Sequence, residues 1–323
     1  MISVSRTRLP SLKEYNKYLK RIWKSNWLTN DGELVQELER KLQEYWGVKH
    51  VVCVSSGTSA LMIAAKALGV KKVYTTPFSF IATIGSMVWS GVKPIFVDCG
   101  ADPFKKGPVL ATHVYGLPHL TDVKPVIYDA SHAFDVKHNG KYLVSYGDVS
   151  IISFHAVKIF QTVEGGAIVT NNDEIAKKAR WMRNHGYKDR YSFHGAGMNA
   201  KMSEFHAAMG LCSLKMIKST RKRYHQIITK YNRAFNKRYK DVTYYPLFYC
   251  CEKQLLKAIK KFEENNIFVR RYFYPPLNKV FGGKKCPIAE DLMSKVLCLP
   301  LYYDLTDKQV DKIIKIAKET LCR

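Results

Sequence analysis

The sequence predicts an α/β fold with a mostly parallel central sheet and a smaller C-terminal α+β domain. Between about residues 50 and 170, short apolar runs of strand length alternate with helix-like stretches, which is typical of a parallel sheet covered by helices. From about residue 173 the pattern becomes helical, and after about residue 240 short strands mix with two helices. We therefore assign residues 1–215 to a large domain, which includes an N-terminal helix, and residues 216–323 to a small domain.

The order of the elements follows from the spacing of the apolar residues. Residues 11–25 have apolar side chains at helical spacing, and a turn at residues 30–32 leads into a second helix. An apolar strand at residues 51–54 is followed by a polar turn and by a helix that ends at Gly69. A long basic helix begins at about Ser203. Further strands are predicted in the runs KVYTTP, KPIFVDCG, VLATHVYG, PVIYDASH, DVSIISFH and GAIVTN.

Composition argues against several classes of protein. The 323 residues are 46% hydrophobic, which is enough for one sizeable core and a smaller appended domain. No apolar run reaches the roughly 18 residues of a membrane span, and the first residues lack the apolar segment of a secretory signal, so no membrane contact is expected. The eight cysteines form no C-x-x-C pair, which favours a reducing cytoplasm and no metal site.

The formal net charge of +25 has three possible meanings. It can indicate nucleic-acid binding, a lysine-rich solvated surface, or a basic rim that attracts an anionic substrate such as a nucleotide diphosphate. Because no nucleic-acid-binding motif accompanies the charge, we do not expect nucleic acid as a partner.

The turn SSGTSAL lies where a strand gives way to a helix. Free backbone N–H groups and the helix dipole at Gly57 and Thr58 would form an anion site, to which Thr58 adds a hydroxyl donor. An ordinary N-cap would have the same composition, so this motif alone does not decide between the two.

The run VIYDASHAF places Asp129 at the carboxyl end of a strand, the edge at which open α/β sheets bind ligands. A carboxylate there can pair with a protonated ring nitrogen and keep it charged. The alternative is an Asp that caps the next turn. His132 follows three residues later and could reach the same ring or be a structural histidine.

The run SFHAVKIFQTVEGGAIVT contains the candidate nucleophile, Lys158, flanked by apolar residues between two strand-like runs. In a partly dry pocket its pKa would fall, and it would become a competent amine nucleophile. A lone lysine is more often a surface residue. Ser153 could donate to a phosphate. The order of an anion-binding turn, a strand-end Asp and a strand-flanked Lys is what a Schiff-base enzyme that holds a phosphorylated pyridine requires.

With these motifs the chain resembles the DegT/DnrJ/EryC1/StrS family of sugar aminotransferases. The resemblance runs from WLTNDG to NAKMSEFHAAMG and more weakly through RRYFYPPL. It implies the pyridoxal 5′-phosphate (PLP)-dependent transferase fold type I, the aspartate-aminotransferase fold, with PLP as cofactor and a homodimer with shared active sites. The roles it implies are Gly57, Thr58 and Ser153 at the cofactor phosphate, Phe80 stacked on the ring, Asp129 at the ring nitrogen, His132 at the 3-hydroxyl side, Lys158 as Schiff base and general acid/base, and Asn199 at the phosphate of the neighbouring subunit.

Within the family, the residues of these motifs resemble those of the viosamine-type branch. This implies amination at C4 of a dTDP- or UDP-linked 4-keto-6-deoxy-D-glucose, with L-glutamate as amino donor. Amination at C3, or a non-catalytic regulatory or nucleic-acid-binding role, remain the alternatives. The candidate residues on the sugar side are Thr29, His185, Arg271 and Tyr272.

One departure from the family lies before VLATHVYG. The family usually has a longer segment there, so a helix of the large domain is expected to be shortened or lost near residues 100–108.

Overall fold

The structure is a computed structural model that describes residues 1–100 and 103–321. Its strands are β1 (His50–Val54), β2 (Lys72–Thr75), β3 (Lys93–Phe96), β4 (Val109–Thr112), β5 (Val126–Asp129), β6 (Lys137–His138), β7 (Lys141–Tyr142), β8 (Val149–Ser153), β9 (Gly166–Thr170), β10 (Tyr245–Phe248) and β11 (Val296–Leu299). Its α-helices are α1 (Leu12–Ser25), α2 (Glu33–Trp46), α3 (Gly57–Ala67), α4 (Ile81–Trp89), α5 (Asp173–Arg183), α6 (Glu204–Phe235), α7 (Glu252–Glu264), α8 (Leu277–Val280), α9 (Pro287–Lys295) and α10 (Asp307–Thr320).

The central sheet has seven strands in the order β1-β9-β8-β5-β4-β2-β3. All pairs from β8 to β3 are parallel, whereas β9 runs antiparallel to both of its neighbours. Short apolar strands of this kind, buried on both faces, are typical of a parallel sheet between helices. The prediction of an α/β fold with a mostly parallel sheet is therefore confirmed.

The sheet register brings functional side chains to one edge. Thr112, the last residue of β4, pairs with Asp129, the last residue of β5, and Asp129 in turn pairs with Ile151 of β8. Ser153 ends β8 two residues later. The carboxyl ends of these strands, together with the N-termini of α3 and α4, therefore lie along the same edge of the sheet.

Helices cover both faces of the sheet. One face packs on α1, α2 and α6, and the other packs on α3, α4 and α5. At Gly210 of α6, a Cβ atom would lie 2.8 Å from Thr162 Cγ2 and 2.9 Å from Leu38 Cδ2. Glycine at this position therefore allows α6 to pack closely against Leu38 of α2 and Thr162.

The C-terminal part has its own core around the antiparallel pair β10–β11, with α7 and α10 packed together beside it. The boundary predicted at residue 215 falls inside α6, whose first half packs in the core of the large sheet and whose second half packs in the C-terminal core. The first residues also belong to the C-terminal core, because Ile2 donates its N–H to Asn266 O at 2.8 Å. The division at 215/216 thus stays a prediction.

The connection before β4 contains no helix at residues 97–100 and 103–108. The predicted shortening concerns a segment of which Ala101 and Asp102 lie outside the described residues. Within residues 1–100 and 103–321, no helix combines the length and the apolar character needed to cross a membrane.

Candidate active site

A cavity of about 400 Å³ opens at the carboxyl edge of the sheet, between the large sheet and the C-terminal part. Its walls combine strand ends, the first turns of α3 and α4, the loop after β8 and the turn at residues 272–273. It is lined by Ser5, Ser56, Gly57, Thr58, Leu61, Ser79, Phe80, Ala82, Thr83, Thr112, Asp129, Ser131, His132, Ser153, His155, Val157, Lys158, Glu164, Tyr244, Arg270, Tyr272 and Phe273.

Asp129 is a buried carboxylate held in a fixed orientation. Its Oδ2 accepts a hydrogen bond from Thr83 Oγ1 at 2.8 Å, and its Oδ1 accepts one from the Ser131 N–H at 3.1 Å. Ser79 continues the chain of hydroxyl groups, with its Oγ 2.7 Å from Thr83 Oγ1 and 2.8 Å from Thr112 Oγ1. Because the carboxylate accepts bonds without an Arg or Lys partner at salt-bridge distance among the described residues, its charge remains available to a cationic group in the cavity.

Lys158 lies in the loop between β8 and β9, and its N–H donates to His155 O at 2.9 Å. Its Nζ lies 5.7 Å from the centre of the Tyr244 ring. Burial lowers the pKa of this amine to about 8, while the charge of Asp129 acts in the opposite direction. About a tenth of the amine is therefore neutral, and thus nucleophilic, at pH 7, which is far more than for an ordinary lysine.

His132 packs against aromatic rings on the C-terminal side of the cavity. Its ring centre lies 4.6 Å from that of Tyr244 and 5.5 Å from that of Phe273. Burial and the nearby Lys158 hold the pKa of His132 well below its usual value, so the imidazole is neutral. Because Nδ1 accepts the Tyr115 N–H at 3.1 Å, we assign the ring proton to Nε2, which can act as a donor.

The first turn of α3 forms the opposite wall. Ser56 and Ser59 make a reciprocal capping box, which fixes the start of the helix. A Cβ atom at Gly57 would lie 2.8 Å from Ser153 Cβ, so only glycine allows α3 to approach the end of β8 this closely. The N–H groups of the first turn have no acceptor within the helix, and the helix dipole makes this end positive.

The profile of the DegT/DnrJ/EryC1/StrS aminotransferase family matches residues 11–114 and 121–318 of this chain. The chain belongs to this family. The family relationship deduced from the sequence motifs is therefore confirmed, and with it the assignment as an aminotransferase.

Two relatives match almost the whole of this aminotransferase. The dTDP-4-amino-4,6-dideoxy-D-glucose transaminase of Shigella dysenteriae is 35% identical over 369 aligned positions, which cover 98% of each chain. The transaminase of the same name from Escherichia coli is 33% identical, and the alignment covers 98% of this chain and 97% of that protein. The 369 positions exceed the 323 residues of the aminotransferase, so the relative has additional residues inside the aligned region.

A solved structure has the same fold as this aminotransferase. The structure of DesI in the presence of its TDP-sugar product superposes with a TM-score of 0.90 at 25% identity, covering 98% of this chain and 92% of that one. The predicted fold, that of the PLP-dependent aminotransferases, is confirmed.

The cavity of this aminotransferase fits the PLP cofactor of its family. A buried carboxylate, Asp129, suits a protonated ring nitrogen. Lys158 supplies an amine whose pKa is lowered by burial, and the first turn of α3 suits a phosphate. Phe80 lies at the N-terminus of α4, where its ring can cover one face of a bound ring.

The structure brings together most of the residues singled out in the sequence. Those that line the cavity are Gly57, Thr58, Phe80, Asp129, His132, Ser153, Lys158 and Tyr272. Those that do not are Thr29, His185, Asn199 and Arg271. Thr29, His185 and Asn199 are exposed elsewhere on the chain.

Arg270 lines the cavity, whereas the predicted residue, Arg271, does not. The guanidinium of Arg271 donates to Glu252 Oε1 at 2.7 Å and lies 3.4 Å above the centre of the Tyr274 ring, whereas Arg270 lines the cavity. Residue 270 forms an isolated β-bridge with Cys298, and residues 272–273 form a turn in which Tyr272 and Phe273 both line the cavity. Cζ of Arg270 lies 4.8 Å from the centre of the Tyr272 ring, so Arg270 lines the cavity beside Tyr272, a residue that the sequence analysis missed.

Four further residues that line the cavity, Ser5, Thr83, Tyr244 and Phe273, were not singled out in the sequence. Thr83 could have been found from its place in the first turn of α4, three residues after Phe80. Ser5, Tyr244 and Phe273 reach the cavity only through tertiary packing.

The lowered pKa of Lys158 predicts the pH dependence of cofactor attachment. Only the neutral amine attacks an aldehyde, so the rate at which the apo-protein takes up PLP should rise with pH and level off above pH 8, the approximate pKa of this amine. Stopped-flow absorbance across pH 6 to 10 measures this rate. A midpoint near the ordinary lysine pKa of about 10.4 would contradict the role of burial.

Proposed function

We propose that this aminotransferase converts dTDP-4-keto-6-deoxy-D-glucose to dTDP-4-amino-4,6-dideoxy-D-glucose, the viosamine type of sugar, with L-glutamate as amino donor. The observation that carries the proposal is the identity of 35% and 33%, over nearly the full length, to two transaminases named for this amino sugar. The cavity around Lys158 and Asp129 supports it, because it has the groups that amino transfer requires. The choice of dTDP over UDP follows the names of the same relatives.

PLP, when bound, supplies a reversible covalent carrier for the amino group and an electron sink. Asp129 holds the negative charge that favours a protonated ring nitrogen, and Thr83 and Ser131 keep that carboxylate in place. Gly57, Thr58 and Ser153 lie together where a phosphate would be bound. Neutral His132 can donate from Nε2 toward a ring hydroxyl. Lys158 would hold the cofactor through Nζ, and its neutral amine would be placed to move a proton at the reacting carbon.

The product of the reaction tests the regiochemistry. Purified enzyme, PLP, L-glutamate and dTDP-4-keto-6-deoxy-D-glucose should give a sugar with a new C–N bond at C4, which two-dimensional NMR identifies. A parallel incubation with the 3-keto isomer is the control. An amine at C3, or turnover of the 3-keto sugar alone, would reject this proposal in favour of the C3 aminotransferase.

Arg270 is expected to bind an anionic part of a substrate. Its side chain lines the cavity, and among the described residues no carboxylate pairs with it. A charge-assisted hydrogen bond of this kind should make Arg270→Gln raise KM for L-glutamate or for the nucleotide sugar about tenfold. Steady-state kinetics with each substrate varied in turn shows which one is affected.

Arg271→Gln is the matched control for this prediction. It removes the ion pair with Glu252 outside the cavity, so KM should change by less than about twofold, while the free energy of unfolding should fall by about 1–3 kcal/mol because this guanidinium is largely buried and stacks on Tyr274. An equal rise of KM in both variants would show that Arg270 does not contact a substrate directly.

We also propose that the active enzyme is a homodimer with shared sites. Asn199 is exposed, and its side chain bonds Lys201 Nζ at 2.8 Å outside the chain's own cavity. If it completes the partner's site, mixing inactive Lys158→Ala and Asn199→Ala proteins should restore about a quarter of wild-type activity, because half of the exchanged dimers contain one intact site. No recovery after confirmed subunit exchange would reject the shared site.

We propose a cytoplasmic location as well, which is supported by the free thiols of the described cysteines.

A further inference from the structure

A second depression lies between α6 and the β6–β7 hairpin; we call it the α6 cleft. Its volume is about 1000 Å³, and it shares no lining residue with the cavity around Lys158. It is lined by Tyr45, Asp135, Lys137, Tyr142, Lys218, Arg221, Lys222, Arg223, His225, Gln226, Thr229, Lys230, Asp241 and Asp307. Nothing in the transamination chemistry uses these residues.

Two of the three carboxylates that line the α6 cleft are paired with arginines. The pairs are Asp135 with Arg221 at 3.1 Å and Asp307 with Arg223 at 3.0 Å, whereas Asp241 shares a hydrogen bond with His225 Nε2 at 2.8 Å. Lys230 lies 3.7 Å from Asp307 and 3.2 Å from Asp311. Because the lining holds six Lys and Arg side chains against three Asp side chains, positive charge remains in excess.

Three exposed lysines of the cleft, Lys137, Lys218 and Lys222, have no carboxylate within salt-bridge distance in the part of the chain that the structure describes. Lys218 and Lys222 are four residues apart on α6, so they lie on the same face of the helix and repel each other. Lys137 belongs to the other wall, with its Nζ 4.5 Å from the centre of the Tyr142 ring. The surplus positive charge thus flanks the cleft from two sides.

This arrangement suits a short, multiply charged anion. The surplus charge comes from a few lysines of a single cleft, which does not suit a long polyanion that needs a continuous basic stripe. The rings of Tyr45 and Tyr142, with centres 5.3 Å apart, give the cleft an aromatic wall beside the lysines. We propose that the α6 cleft binds a short polyphosphate of the kind carried by nucleoside di- and triphosphates, as a site separate from the active site.

Inorganic tripolyphosphate is the probe for this site, because it carries the charge without a base. Isothermal titration calorimetry of the PLP-loaded enzyme should detect binding that the triple substitution Lys137→Gln, Lys218→Gln, Lys222→Gln weakens about tenfold or more. The control variant, Lys253→Gln, Lys257→Gln, Lys260→Gln, removes the same charge from exposed positions on α7 and should bind like wild type.

Three outcomes would overturn the proposal. Equal weakening in both triple variants would show an effect of net charge alone, and unchanged binding in the cleft variant would place the anion elsewhere. The third outcome comes from comparing dTTP with a single-stranded oligonucleotide as ligands. If the oligonucleotide bound more tightly than dTTP, through the same three lysines, the cleft would be a nucleic-acid site instead. Circular dichroism melting checks that each variant is folded. The single substitution Lys222→Gln repeats the test with less change to the surface, and it should lower the affinity for tripolyphosphate about threefold.

Discussion

Replacing Lys158 with alanine is expected to abolish both covalent attachment of PLP and transamination. The wild-type enzyme with PLP should absorb at the wavelength of the imine, and borohydride should fix the cofactor to the chain. The variant should show neither property, and its turnover should fall at least about a thousandfold, since it loses the nucleophile and the proton carrier together. The lysine is half-buried in the cavity wall and accepts substitution by a smaller residue without the loss of an ion pair to a carboxylate.

Lys257→Ala provides the control for this experiment, because this exposed lysine lies on α7, away from the cavity. It should retain the absorbance band and the borohydride-fixed cofactor. If the Lys158→Ala protein retained the same covalently fixed cofactor, another amine would have to be the nucleophile and the assignment of the site would be wrong.

Asp129→Asn is expected to have the second largest effect, a fall in kcat of about 10²–10³-fold. The amide keeps the size of the side chain and can still accept one hydrogen bond from Thr83 or Ser131, but it removes the negative charge that faces the cavity. The measurements are kcat with saturating L-glutamate and the Kd of PLP for the apo-protein. We expect both to change, because a neutral amide no longer favours a protonated ring nitrogen.

Thr83→Val separates the charge of Asp129 from its orientation. This change keeps the carboxylate and removes one of its two hydrogen bonds, so kcat should fall only a few-fold, as expected for one hydrogen bond to a charged group. Asp311→Asn, on the exposed face of α10, should leave kcat unchanged. A loss in Thr83→Val as large as that in Asp129→Asn would mean that orientation, and not charge, is what the carboxylate contributes.

The central part of the site could be predicted from the sequence because its signals are local. Asp129 follows an apolar strand, Gly57 and Thr58 follow another, and Lys158 lies between two more, so the rule that ligands bind at the carboxyl edge of the sheet places them together. The direction of β9 could not be predicted in the same way. An apolar run such as residues 166–170 has the same pattern in either direction, and only the connection without a helix after β8 accounts for an antiparallel strand.

The residues with which the C-terminal part lines the cavity could not be predicted from local sequence patterns. Tyr244 and Phe273 pack against His132, although more than a hundred residues of sequence separate them from it. Hydrophobic periodicity does not indicate which residues come into contact at such a separation. Arg270 and Arg271 show how much depends on a single position, because Arg270 lines the cavity whereas Arg271 is paired with Glu252, and the sequence pattern does not distinguish the two.

The pairing of the first residues with the C-terminal core has a consequence for synthesis in the cell. Ile2 bonds to residues 266 and 268, and Ser5 lines the cavity, so residues 2 and 5 reach their final surroundings only after residues near 270 have been synthesised. The cavity wall reaches from residue 5 to residue 273, and such distant contacts form late in folding. A chain synthesised only as far as residue 240 lacks Tyr244, Arg270 and Tyr272 of the cavity wall, so we expect PLP to be bound after these residues have been made.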